Sequence, residues 1–190
     1  MSLNKKVEKS FLVSWALAVG ISTLQIGYAI GVFNPLMHQM RIQLNWNGKP
    51  SIFYGLITSM IPLGAALGSL LSNPLSKFGS KSALFCANFV LILGCSLTQC
   101  LNLVSICLGR AVYGIAIGVF GVVVPIFLRD MSPLELTAPL GAVTTITYNG
   151  GFLVACLLGY LVPERDSSSE ANNETVWRLM FAIPIILTVF

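Results

Sequence analysis

Apolar runs alternate with short polar links along this chain, and the runs are long enough to be membrane helices. The clearest lies between Gly109 and Pro133. After Gly109, Arg110 and Ala111 it reads VYGIAIGVFGVVVPIFLRDMSP. Between Arg110 and Arg129 stand 18 uncharged residues. At ~1.5 Å per residue they reach ~27 Å, close to the ~30 Å of a bilayer core. Gly109, Gly114 and Gly118 narrow this run, as helices do where neighbours approach closely in lipid. The same pattern predicts spans at about 11–37, 52–75, 83–101, 103–128, 140–162 and 177–190. The last has 14 residues, ~21 Å of helix, and is incomplete as a crossing. It predicts either a chain cut from a longer one or a half that relies on a partner.

Polar residues inside these runs are the next signal. The first span holds Gln25, Tyr28 and Asn34, and the third holds Asn88 and Gln99. Gln25 and Asn34 gain nothing from lipid, so they should face a helix interface or a cavity. The fifth span carries Thr144, Thr145, Thr147, Tyr148 and Asn149 before Gly150 and Gly151. Thr145, Tyr148, Asn149 and Phe152 fall at i, i+3, i+4 and i+7, on one helix face. Two readings stay open for it: a cavity lining, or hydrogen bonding between helices without a ligand.

Composition excludes a soluble domain. The 190 residues are 55% apolar and 9% charged, against about 25% charged in ordinary domains. The net charge of +4 forms no basic stripe, which argues against nucleic acid as a partner. The lone His38 rules out a His-rich metal site. Cys86, Cys95, Cys100, Cys107 and Cys156 show no CxxC spacing and read as free thiols packed as small hydrophobes. No Asp, Glu or His lies within a span, so acid–base catalysis, proton coupling and a bound cofactor are not expected. Lys5, Lys6, Lys9, Lys77, Lys81 and Arg129 fall on one side of a six-span chain. That places the N-terminus inside. The acidic loop 163–176 falls outside, and its Asn173-Glu174-Thr175 is a glycosylation sequon only if that side faces a secretory lumen.

The five-residue string AIGVF occurs at 29–33 and again at 116–120, each followed by a proline, Pro35 and Pro125. The offset lays span one on span four. Two three-helix repeats give that offset, and transporters often invert such repeats across the membrane.

Several stretches together resemble the sugar-porter branch of the major facilitator superfamily, above all the facilitative hexose transporters. LQIGYAIGVFNP (24–35) is similar to the first-helix signature. Gly109-Arg110 leading into YGIAIG (113–118), with VPIFLRDMSP (124–133), is similar to the fourth helix and its following loop. Trp177-Arg178 before Leu179-Met180-Phe181 resembles the opening of the sixth helix. The resemblance implies an all-α integral membrane fold: a six-helix bundle of two inverted three-helix repeats, the N-terminal half of the family's fold. It implies alternating access around a midplane sugar or polyol site, without covalent chemistry. The implied partners are the bilayer, a second six-helix half beyond Phe190 or on another chain, and the solute.

On that resemblance, Gln25, Asn34, Thr145, Tyr148 and Asn149 are the candidate substrate contacts. Thr145 stands where the family carries a sugar-bonding glutamine. Lys77, Lys81, Arg129, Asp130 and Glu135 are the candidate inner-gate charges, with Asp130 on the family's acidic position after helix four. Ser76 and Ser80 replace an aspartate and an arginine of the family's inner lock. Thr137-Ala138 replaces its Arg-Gly, and Phe120-Gly121 replaces a polar pair. These departures keep a second expectation in view: a non-transporting half that serves as a structural subunit of a larger membrane complex. The membrane is then the plasma membrane or an organelle membrane, the mitochondrial inner membrane included if the chain is such a subunit.

Overall fold

The structure, a computed structural model, describes residues 19–36, 50–100, 102–131, 134–161 and 178–185, with backbone alone at 50, 51, 134–137 and 161. Every described segment is helical: α1 (19–36), α2 (Pro50–Ser76), α3 (Ser80–Thr98), α4 (Leu103–Met131), α5 (Leu134–Leu161) and α6 (178–185). Among the described residues, four helices are long and apolar enough to cross a membrane, over Ile52–Ser76, Ser80–Thr98, Leu103–Met131 and Ala138–Tyr160. The start of the first span, the N-terminal lysines, His38, the acidic loop with its sequon and the end of the sixth span lie outside the described residues.

α4 and α5 are longer than the spans read from hydropathy. Most of the expected link 129–139 is helical, because α4 runs on through Arg129 and Asp130 to Met131 and α5 begins at Leu134. At ~1.5 Å per residue, the 29 residues of α4 measure ~43 Å, more than a bilayer core, so charged turns extend into water. Pro62, Pro74, Pro125 and Pro139 lie inside helices, which membrane bundles tolerate when neighbours satisfy the freed backbone groups.

Glycine seams set the packing. α4 packs extensively along both α2 and α3. A side chain at Gly64 would strike the Ala111 carbonyl, and one at Gly68 the Ile115 carbonyl. From the other side, Gly114 abuts the Ile61 carbonyl and Gly118 the Ala65 carbonyl. The numbers rise together, so α2 and α4 run parallel. α3 runs antiparallel to α4, with Gly94 against Tyr113 and Gly109 against Thr98.

A second seam joins α1 to α5. Gly27 abuts the Tyr148 carbonyl, Gly31 meets Phe152 and Ala155, and Gly151 abuts the Leu24 carbonyl. Shifting each α2 position up and each α4 position down by the AIGVF offset of 87 residues turns the first seam's contacts into the second's. Gly114 on Ile61 corresponds to Gly27 on Tyr148, Gly118 on Ala65 to Gly31 on Phe152, and Gly64 on Ala111 to Gly151 on Leu24. The leading helix of each repeat therefore packs on the two following helices of the other. α4 lies on α2 and α3. α1 lies on α5 and, through the Tyr28 hydroxyl donating to the Met180 carbonyl at 2.8 Å, on α6. The chain is an all-α membrane bundle of inverted repeats.

The core follows. Phe120, Val123, Val124 and Phe127 of α4 pack on the Ala83, Ala87, Leu91 and Cys95 face of α3. The opposite face of α3, with Phe85 and Phe89, is exposed, as a lipid-facing surface is. α2 and α3 are joined through Gly79, whose φ of 105° is left-handed. Gly79→Val keeps open space around the side chain but strains the backbone, so it should lower stability by about 1–2 kcal/mol in thermal unfolding. Gly79→Asn should cost about as much, because a ψ of 136° lies outside the left-handed helical region that asparagine tolerates. No loss for either variant would argue against a positive φ at this turn.

Candidate functional site

The five candidate substrate contacts do not share one pocket. Gln25 is 1% exposed on α1, and its carbonyl accepts a hydrogen bond from the Tyr113 hydroxyl of α4 at 3.4 Å. Asn34 is exposed near the end of α1. Thr145, Asn149 and Phe152 form an exposed stripe on α5, and Tyr148 is half-buried against the core beside it. The hydroxyls on this helix bond its own backbone: Thr144 and Thr145 donate to the Gly141 carbonyl at 2.7 and 3.2 Å, and Thr147 to the Val143 carbonyl at 2.6 Å. Asn149 Nδ2 donates to the Thr145 carbonyl at 2.9 Å. These bonds hold the side chains in place within a helix and keep hydroxyl lone pairs and the second amide N–H as ligand contacts. Ile146, Leu153, Leu157 and Tyr160 are exposed as well, so α5 is sparsely covered by the rest of the chain.

Lys77, Lys81, Arg129 and Asp130 are all exposed. Because α2 and α4 run parallel, the Ser76–Ser80 turn and the end of α4 lie at the same end of the bundle. Glu135 stands in the first turn of α5, and its side chain lies outside the described residues.

Sequence reasoning missed a site at the other end. Arg110 reads in the sequence as the charge that bounds span four. In the structure it stands two turns inside α4 and is 3% exposed. Its guanidinium carbon lies 4.1 Å from the Phe33 ring centre and 5.3 Å from that of Phe181. Aromatic faces attract a cation by about 2 kcal/mol when water is excluded. A cavity opens beside it, lined also by Ala29, Cys95, Thr98 and Tyr113. The Arg110 Nη2 has no hydrogen-bond partner among the described residues. The readable signal was the distance of Arg110 from the Asn102 turn, since a charge that deep in an apolar helix marks function.

The bundle, its inverted repeat and its polar stripe can be set beside known proteins. The model of the family described as "Sugar (and other) transporter" matches residues 15–190. The chain belongs to that family. The chain is 31% identical over 99% of its length to the major myo-inositol transporter IolT of Bacillus subtilis, covering 39% of that protein. It is 32% identical to human solute carrier family 2, facilitated glucose transporter member 5, over 73% of this chain and 31% of the other. In fold it resembles the inward open xylose transporter XylE from E. coli, with a TM-score of 0.80 at 18% identity, over 94% of this chain and 46% of that one. The chain thus spans less than half the length of each of these proteins. It is an integral, multi-pass membrane protein.

Proposed function

We propose that this sugar porter supplies the N-terminal six-helix bundle of a carrier that moves a hexose or related polyol by alternating access. The exposed polar stripe of Thr145 and Asn149 on α5 carries the proposal. Relatives named for myo-inositol and glucose suggest a solute with many hydroxyls. Such a solute needs hydrogen-bonding groups on a face that a second bundle would cover. Asn34 and Tyr148 are assigned to the same path and Gln25, enclosed against Tyr113, to the helix interface beside it; the exposed charges Lys77, Lys81, Arg129 and Asp130, with Glu135, are assigned to its inner gate. Lys77 and Lys81 on the inner side set the orientation, in the plasma membrane or an organelle membrane. The comparisons do not favour the alternative of a structural subunit.

The test is uptake of labelled glucose and myo-inositol by the complete carrier in proteoliposomes. Asn149→Leu leaves a solute hydroxyl unmatched, which costs about 1–3 kcal/mol, or about five- to 150-fold in affinity. Uptake should fall accordingly while the protein stays folded. Unchanged uptake removes Asn149 from the path, and no uptake of any hexose or polyol by the wild type removes the carrier reading.

A further inference from the structure

We infer that the turn joining α2 to α3, with the exposed face of α3, is a docking surface for one anionic phospholipid, its phosphate on Lys77 and Lys81 and an acyl chain along Phe85 and Phe89. Charge is the first reason. Lys77 and Lys81 are both exposed and flank the Gly79 turn. The chain has no Asp or Glu between Glu8 and Asp130, so neither helix joined by the turn carries an acid. Arg129, Asp130 and Glu135 stand at the same end of the bundle on α4 and α5, and none of them belongs to the exposed face of α3. A lysine close to an anionic headgroup favours it by about fivefold.

Depth is the second reason. α3 has 19 residues, ~28 Å of helix, which is close to the thickness of one bilayer core. Its first turn therefore ends where headgroups begin. Side chains on a helix lean toward its N-terminus. For α3 that is the Gly79 turn, so the Lys81 amine reaches toward the headgroups while its stem stays against hydrocarbon.

Shape is the third reason. Lys81, Phe85 and Phe89 fall at i, i+4 and i+8, one exposed face with a cation at its end and two rings beneath it. Phe78, 82% exposed, stands beside Lys77 in the same turn. The far end of the face holds Ser96, Leu97 and Cys100, all exposed and uncharged. A face charged at one end and apolar below it matches one lipid in one leaflet. A soluble anion would have no use for the rings. In the orientation proposed above, that leaflet is the inner one, where anionic lipids gather. The inner-gate assignment names the same lysines, and the test separates the two because it holds no solute.

The experiment is native mass spectrometry of the complete protein released from detergent. Phosphatidylglycerol and phosphatidylcholine with identical acyl chains are titrated in, and bound lipids are counted. One phosphatidylglycerol should bind about tenfold or more tighter than phosphatidylcholine. Lys77→Gln together with Lys81→Gln should bring it down to the phosphatidylcholine level. Both side chains are exposed, so the double variant should fold. Phe85→Ala should weaken both lipids and keep the preference between them. Inorganic phosphate in large excess should not displace the lipid. Equal affinity for the two lipids overturns the inference. A preference that survives the double variant places the lipid on other cations, such as Lys5, Lys6 and Lys9, and overturns it too. Unchanged binding in Phe85→Ala takes the acyl chain off α3, and displacement by phosphate makes the site one for a free anion. Either result sinks the inference. Sugar is absent throughout, so failure here says nothing against transport, and failure of transport says nothing against the lipid.

Discussion

Gly114→Leu should leave little or no folded protein. A Cβ at Gly114 would sit 2.5 Å from the Ile61 carbonyl oxygen, where ordinary contact begins at 3.4 Å. The oxygen is backbone and the Cβ position is fixed by backbone, so no rotamer change relieves the clash. The two helices must separate, and the neighbouring contacts of Gly64, Gly68 and Gly118 open with them. Overpacking inside a core costs about 1–3 kcal/mol when side chains can adjust. Here they cannot, and lipid offers no hydrophobic gain to hold the pair together. Gly121→Leu is the control, two turns away on the same helix with nothing within 4 Å. The inverted repeat extends the prediction: Gly27→Leu should fail as Gly114→Leu does, because Gly27 meets the Tyr148 carbonyl as Gly114 meets that of Ile61. Size-exclusion profiles of the detergent-solubilised, tagged protein read all three. A sharp, wild-type peak for Gly114→Leu would show that the crossing is looser than the seam requires.

The seam also explains how much of the fold was legible beforehand. Span number and the AIGVF repeat depend on local composition, and glycine four residues from glycine is visible in a string. Partnerships are not. Nothing local says that Gly64 meets Ala111 while its repeat mate Gly151 meets Leu24. The end of span four was misjudged for a related reason. Arg129 and Asp130 ended the hydropathy run, yet a helix can continue into water once it has left the bilayer.

The candidate site divides along the same line. The helical spacing of Thr145, Asn149 and Phe152 gave their common face. Its exposure depends on which helices cover α5, and that is decided by crossings far away in sequence. Gln25 was grouped with them as a polar exception, but it is enclosed beside α4. Arg110 escaped notice because its partners are remote. Phe33 comes from α1 and Phe181 from α6, and only the folded bundle brings three helices to one guanidinium.

That convergence carries the second large prediction. Phe33→Ala should lower the stability of the protein by about 3 kcal/mol, the low end for a buried phenylalanine. The low end applies because a side chain leaving this core enters lipid rather than water, so the transfer term shrinks and lost contact dominates. Phe33 is 2% exposed, and the cavity left by its removal would lie directly over Arg110. Part of the loss is the cation–π contact, about 2 kcal/mol when desolvated. A double-mutant cycle isolates it: in an Arg110→Gln background, Phe33→Ala should cost about 1–2 kcal/mol less than in the wild type. Phe85→Ala, on a side chain 75% exposed on α3, should cost far less. Thermal unfolding of the four variants and the wild type in one detergent gives every term. Equal losses from Phe33→Ala and Phe85→Ala would mean that the ring contributes bulk alone. A coupling near zero would mean that Arg110 is held by hydrogen bonds at its edge rather than by the faces of the two rings. With the predicted coupling, α1 and α4, the leading helices of the two repeats, are pinned to each other through one charge.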